Sequence, residues 1–177
     1  MAADAKQLLQ TVLQDTYSAE TQILEALPTM AQAASTQSLK QAFEQHRKET
    51  ERQVERLKEA ASQLGIQPEG ETCEAMEGLV EEGEELMDEF ERGPVLDAAL
   101  ISAAQKVEHY EIAAYGTLTA LLKAMGESRC ADLMAQTLKE EKDTDEQLTQ
   151  IAEREVNPAA LGRQAANDPS GKSRGAA

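Results

Sequence analysis

The chain has 177 residues and a formal net charge of −16, with 41% hydrophobic residues but only 3% aromatic ones. This length suits one domain with a sizeable core, which must be built from Ala, Leu, Val, Ile and Met. Prolines are few and β-branched runs are missing, so the composition predicts an all-α protein. The acidic charge disfavours nucleic acid and anionic membranes as partners.

The N-terminal residues show no signal-peptide pattern, and no apolar run reaches the roughly 18 residues that cross a bilayer. We therefore expect a cytoplasmic protein without a membrane partner.

Four long helices are predicted from apolar residues that recur at steps of three and four, over residues 4–34, 39–64, 94–125 and 128–156. Ser38 and Gln41 have the spacing of a capping box at the start of the second helix, and Ser128 can cap the fourth. Gly65 and Gly126 are typical residues just past a helix end.

The segment 66–93 is rich in acidic residues and glycine but keeps helical spacing, which predicts one broken helix or two short ones. An antiparallel hairpin needs only about 2–8 linking residues. The segment is much longer, so we interpret it as a crossover that starts the next long helix parallel to the second. Residues 1–157 would then form one helical bundle, and residues 158–177 a flexible C-terminal tail.

Each long helix carries acid on its apolar stripe, and these residues are the candidate metal ligands. His46, one turn before Glu49, is the histidine on such a stripe. The two helix pairs place their acids at similar spacing, so the side chains are expected to converge at one depth. The candidates are Glu20, His46, Glu49, Glu108, Glu111, Glu141 and Asp145.

Six carboxylates in one core cannot all ionise without cations, because like charges at short range raise one another's pKa. Carboxylates with one imidazole are hard, oxygen-rich ligands that suit iron, or manganese, better than copper or zinc. Two helix pairs suit a site for two iron ions.

For single residues, interpretations other than a metal ligand stay open. A glutamate on a stripe is often a boundary residue with its head in water, and His46 alone is compatible with an ordinary core histidine. Glu111 and Asp145 could lie behind the ligands rather than on the metal. His109 is one residue off the stripe and is expected at the surface or behind a ligand. Tyr17 and Tyr115 are expected in the core, with hydroxyls available to a ligand carboxylate.

Five stretches carry a resemblance to a known family: Asp15-Thr-Tyr-Ser-Ala-Glu20, His46-Arg-Lys-Glu49-Thr50, Cys73-Glu-Ala-Met-Glu-Gly-Leu79, Val107-Glu-His-Tyr-Glu-Ile-Ala-Ala-Tyr-Gly116 and Glu140-Glu-Lys-Asp-Thr-Asp145. Over nearly all of residues 4–156 the chain resembles the YciF-like branch of the ferritin-like superfamily. The resemblance implies a ferritin-like four-helix bundle with a helical crossover, a homodimer, a di-iron or related metal centre and a link to bacterial stress.

The sequence departs from the commoner ferritin-like pattern, in which two helices each supply Glu-x-x-His. Here His46-x-x-Glu49 has the reverse order, and Glu141 is followed by Asp145 rather than by a histidine. The resemblance therefore carries over to Glu20, Glu49, Glu108 and Glu141 and not to a complete ligand set.

Three functional hypotheses follow. The first is a carboxylate-bridged iron protein that reacts with O₂ or peroxide, with Glu49 and either Glu108 or Glu141 bridging and with Glu20 and His46 as terminal ligands. The second is a non-catalytic dimeric stress protein whose buried acids are protonated or hydrogen-bonded to one another. The third, storage in a hollow shell, requires a large assembly. Spacing assigns no catalytic residue.

Overall fold

The computed structural model describes residues 2–162, and it is helical throughout apart from short connections. The long helices are α1 (Ala2–Ala33), α2 (Gln37–Leu64), α4 (Pro94–Met125) and α5 (Ser128–Ile151). Helix α3 (Glu74–Glu89) lies between the two pairs. A π-helical turn, Ala152–Val156, and a single turn, α6 (Asn157–Ala160), follow α5. The all-α prediction is confirmed, and the four long helices α1, α2, α4 and α5 lie within a few residues of their predicted ranges.

The four long helices form a bundle in which α1 packs against α2 and α4, while α5 packs against the same two helices. Helices α2 and α4 therefore lie on one diagonal. Asp97, in the first turn of α4, accepts hydrogen bonds from the backbone N–H groups of Ser35 and Thr36, between α1 and α2. Helices α2 and α4 thus begin at the same end of the bundle and run parallel, as the crossover predicts.

The crossover itself differs from the prediction, because α3 is one unbroken helix that includes Gly78 and Gly83. An irregular link precedes α3 and runs along α1. The Gln14 side chain donates to the carbonyl groups of Gln67 and Glu69, and Ser18 Oγ accepts from the Cys73 backbone N–H at 2.9 Å. Met76 on α3 is fully buried, so packing against the bundle holds the helix together despite its glycines.

The predicted side-chain caps are wrong. Thr36 and Glu127 precede α2 and α5 without a side-chain capping bond, and Ser38 Oγ instead bonds to a Glu155 carboxylate oxygen. In place of the predicted capping box, Asp97 of α4 accepts hydrogen bonds from the backbone N–H groups of Ser35 and Thr36, just before α2. By contrast, Gly65 and Gly126 end α2 and α4 as predicted, with φ values of 68° and 82° in the left-handed region that glycine adopts freely.

The apolar core has two parts, one at each end of the bundle. One contains Leu27, Phe43 and Leu100, and the other contains Leu13 and Leu57 with their neighbours. Between them, all four long helices place buried polar side chains at the same level. The core thus encloses a polar layer halfway along the bundle.

Within residues 2–162, no helix combines the length and apolarity that a bilayer crossing requires. The predicted tail, residues 158–177, begins within α6, and residues 163–177 lie outside the described part of the chain.

Candidate metal centre

The polar layer brings four potential ligands together. One donor atom from each of His46, Glu108, Glu111 and Glu141 lies within 4.8 Å of the others, and all four residues are buried. Helix α2 supplies the histidine, α4 supplies Glu108 and Glu111 one turn apart, and α5 supplies Glu141. The three-residue step places both α4 carboxyl groups on the inward face of that helix.

Glu20 of α1 adjoins this group and is completely buried. The Tyr115 hydroxyl donates a hydrogen bond to Glu20 Oε1, so α4 orients the acid of α1. The predicted role for the Tyr115 hydroxyl therefore has a structural counterpart.

The other two predicted ligands lie at the edge of the layer. The Glu49 side chain is 22% exposed, lies 3.7 Å from Arg52 Nη2 and accepts a hydrogen bond from Gln45 at 2.7 Å. The Asp145 side chain is 23% exposed and accepts a hydrogen bond from Gln105 at 2.9 Å. His109, 69% exposed, lies outside the cluster beside Asp145, with 3.5 Å between Nε2 and Oδ1.

Gln53 also belongs to the site, although it was not among the predicted candidates. It is fully buried on α2, and its Nε2 donates to Glu141 Oε1 and, at 3.2 Å, to Glu140 Oε2. The signal for this residue is its position seven residues after His46, two helical turns along the same face. Arg56, one turn further, forms a two-pronged ion pair with Glu140 rather than with the cluster.

Burial dominates the electrostatics of the cluster. It raises the pKa of Glu20 from 4.5 to about 8, against the opposing effect of the Tyr115 hydrogen bond. It likewise raises the pKa of Glu108 to about 8, helped by the charge of Glu20. Burial and neighbouring carboxylates raise the pKa values of Glu111 and Glu141 well above their ordinary range.

His46 responds in the opposite sense, because burial lowers its pKa from 6.5 to about 4. At neutral pH the imidazole is therefore uncharged and retains a lone pair. Its Nε2 lies 3.3 Å from Glu108 Oε1. Within residues 2–162, no lysine or arginine forms an ion pair with any of the cluster carboxylates, so no basic side chain pairs with these groups when they are ionised.

The unpaired atoms test whether a cation fits. Both ring nitrogens of His46, both carboxylate oxygens of Glu111, and one oxygen each of Glu20, Glu108 and Glu141 are buried without a hydrogen-bond partner. Such atoms are costly in a protein interior unless a proton or a cation compensates them. The donor set is oxygen-rich with one imidazole, which suits iron or manganese. The residues thus fit the predicted metal, and the cluster is compatible with a metal site.

Comparison with known families gives a match over residues 4–161 to the family described as "Domain of unknown function (DUF892)". The chain belongs to the DUF892 family. It is 48% identical to Protein YciF of Escherichia coli strain K12 over 150 residues, which cover 84% of this chain and 90% of YciF. The predicted resemblance to YciF is confirmed.

Solved structures agree with this DUF892 assignment. The crystal structure of the E. coli stress protein YciF has a TM-score of 0.83 and 45% identity, covering 86% of this chain and 97% of that chain. YcfI from Rhodopseudomonas palustris has a TM-score of 0.81 and 40% identity, covering 84% of this chain and 94% of YcfI.

A more distant structure identifies the fold. A two-domain protein from Anabaena variabilis contains DJ-1/ThiJ/PfpI-like and ferritin-like domains. It matches 97% of this chain and 42% of its own, with a TM-score of 0.58 and 17% identity. That identity supports a conclusion about the fold alone, and the predicted ferritin-like bundle is confirmed.

Proposed function

We propose that this DUF892 protein is a carboxylate-rich metal-binding stress protein of the di-iron type, which reacts with O₂ or peroxide. The observation that carries the proposal is the convergence of His46, Glu108, Glu111 and Glu141 within 4.8 Å, with buried atoms that lack partners. The homology of this chain to the E. coli stress protein YciF supports the stress role.

Four residues would hold the first ion: His46, Glu108, Glu111 and Glu141. Glu20 would join them through its unpaired oxygen, and a second ion would draw on Glu49 at the edge. Bound iron would supply redox chemistry with O₂ or peroxide, and manganese is the alternative metal.

The remaining residues position the ligands and keep water out. The Tyr115 hydroxyl fixes one oxygen of Glu20, and the Gln53 amide fixes one oxygen of Glu141. Each therefore leaves the second carboxylate oxygen free to bind a cation. The apolar residues on both sides of the layer exclude water, which strengthens the attraction between carboxylates and a cation.

The reaction is tested by loading metal-stripped protein with iron(II) under nitrogen and then adding peroxide or O₂. The proposal predicts an absorbance change in the wild type. The Glu108→Gln variant is treated identically, and so is the control variant Glu146→Gln, which changes an exposed acid on α5. Only Glu108→Gln is expected to lose the change. A wild type that takes up no iron, and whose thermal stability iron leaves unaltered, would sink the proposal.

A second candidate is a non-catalytic helical stress protein in which protons replace the metal. The raised pKa values of Glu111 and Glu141 favour it, because their protonated carboxyl groups can donate to Glu20 and Glu108, respectively. In this case Glu108→Gln would leave the stability of the protein unchanged or increase it. Iron would change the stability of neither the wild type nor this variant.

A further inference from the structure

An internal cavity of about 380 Å³ leads from the protein surface to the polar layer. Helices α1, α3 and α4 form most of its walls, and residues of α2 and α5 complete them. Its lining is largely apolar, with Leu27, Phe43, Val80, Met87 and Val107 among the contributing side chains. A water molecule occupies about 30 Å³, so the cavity has room for on the order of ten non-hydrogen atoms.

The cavity exists because small residues occupy the inward faces of two helices. Gly83 on α3 is buried, and Ala103 and Ala104 lie opposite it on α4. A Cβ atom added to Gly83 would lie 3.8 Å from Ala103 Cβ, an ordinary contact distance, and Gly83 does not adopt a positive φ. Neither backbone conformation nor close packing therefore requires glycine here, although glycine inside a helix costs about 1 kcal/mol relative to alanine.

The inner end of the cavity is polar. His46 and Glu108 both contribute to its lining, and their side chains are only 4% and 2% exposed. Neither ring nitrogen of His46 has a hydrogen-bond partner, and Glu108 Oε2 also lacks one. A molecule that fills the cavity would therefore contact two of the proposed metal ligands.

The outer end of the cavity is acidic. Glu25 and Glu84 are exposed there and contribute to the lining, in a chain of net charge −16. Carboxylates at the entrance repel an anion, so a fatty-acid-like molecule is disfavoured. An uncharged hydrocarbon chain avoids this repulsion and gains free energy by leaving water.

We propose that this cavity binds an uncharged apolar organic molecule and holds it against His46 and Glu108, as the substrate or co-substrate of the metal centre. The role of this molecule as a substrate rests on the proposed function, whereas its binding depends only on the cavity. Pockets for small molecules are typically apolar with a few polar groups at defined positions, as this one is.

Binding is tested with full-length, metal-free protein and the small uncharged fluorophore 1-aminonaphthalene, displaced by decanol or by decanoate. We expect saturable binding that decanol reverses and that decanoate reverses at least roughly 10-fold less effectively. No saturable binding would overturn the proposal, and equal displacement by decanoate would overturn the assignment to uncharged ligands.

Two leucine substitutions on α3 form a matched pair. Gly83→Leu fills the cavity, whereas Gly78→Leu places the same side chain at an exposed position with open space around it. We expect Gly83→Leu to weaken fluorophore binding at least roughly 10-fold and Gly78→Leu to leave it unchanged. Ala26→Phe, a half-buried position in the lining, provides a second block if Gly83→Leu loses its helical circular dichroism. Unchanged binding in a folded blocking variant would contradict the site.

The Glu141→Gln variant separates this inference from the proposed function, because Glu141 belongs to the cluster but does not line the cavity. It is expected to lose manganese(II) binding and to keep fluorophore binding, while Gly83→Leu does the reverse. If the wild type binds the fluorophore but no metal, the cavity is a binding site and the metal proposal fails. If it binds metal but not the fluorophore, only the cavity proposal fails.

Discussion

The imidazole of His46 on α2 faces the carboxyl group of Glu108 on α4 across the diagonal of the bundle, with Nε2 3.3 Å from Oε1. Burial lowers the pKa of His46 to about 4 and raises that of Glu108 to about 8. At pH 7 without a cation, the two groups are therefore a neutral histidine and a protonated acid rather than an ion pair. A bound cation would favour the ionised carboxylate, so proton and metal compete for this pair.

The stability of the metal-free protein is predicted to fall as the pH rises from 6.5 to 8. Glu20 and Glu108 have pKa values near 8 in the folded state against 4.5 as the ordinary value, so the unfolded chain binds fewer protons between these limits. His46 acts oppositely, but only between about pH 4 and 6.5. Above pH 6.5 the acids act alone, and the loss from Glu20 and Glu108 together should be roughly 3 kcal/mol.

Thermal unfolding with and without manganese(II) measures this effect. The metal-free protein should lose roughly 9 °C in Tm between pH 6.5 and 8, and saturating metal should reduce or reverse the loss because the carboxylates are then ionised in the folded state. A metal-free Tm that rises over this interval would show that the acids are not protonated in the fold.

Tyr115→Phe is predicted to destabilise the metal-free protein by about 1 to 3 kcal/mol, because it removes the donor to Glu20 and leaves a second oxygen of that residue without a partner. Urea unfolding measures the change. Tyr17→Phe is the matched control, since Tyr17 is half-buried on α1 and its hydroxyl makes no hydrogen bond to the described part of the chain. Equal effects in the two variants would rule out the role assigned to the Tyr115 hydroxyl.

Asp97→Ala is predicted to lower the free energy of unfolding by about 2 to 4 kcal/mol without changing the amount of metal bound. Asp97 is fully buried and accepts hydrogen bonds from the backbone and hydroxyl groups of both Ser35 and Thr36. Alanine leaves these donors unpaired and separates α4 from the α1–α2 connection. Asp97→Asn, which retains one oxygen acceptor, should cost less, and a loss of metal in either variant would contradict a purely structural role.

Glu49→Gln is predicted to weaken manganese(II) binding by about 10-fold, less than Glu108→Gln does, because Glu49 lies at the edge of the layer and already contacts Gln45 and Arg52. Titration calorimetry compares the two variants. Equal losses of affinity in the two variants would show that Glu49 moves inward and binds the ion as directly as Glu108 does.

The sequence predicted the bundle well because the helix signals are local. Apolar steps of three and four located the long helices, and the length of the 66–93 segment required the crossover. Residues such as Asp97 and Gln53 were not predicted, because their partners lie on other helices. Asp97 is one of several acids when considered by sequence alone, and only the packing of α4 beside Ser35 and Thr36 makes it a cap.

The sequence predicted which residues lie at this depth of the bundle, but not which of them come close enough to one another to share an ion. Small differences in helix rotation decide which carboxylates point inward, and they bring Glu111 into the cluster while leaving Glu49 at its edge. Sequence periodicity does not resolve such rotations. The homodimer stays a prediction, which light scattering on the full chain would test.

The central claim is that the polar layer binds metal, and equilibrium dialysis of metal-stripped full-length protein against iron(II) under nitrogen tests it most directly. The wild type is predicted to bind about two ions per chain, and the Glu108→Gln/Glu141→Gln double variant to lose most of this binding while remaining helical. A wild type that binds no iron, or a double variant that binds as much as the wild type, would contradict the claim.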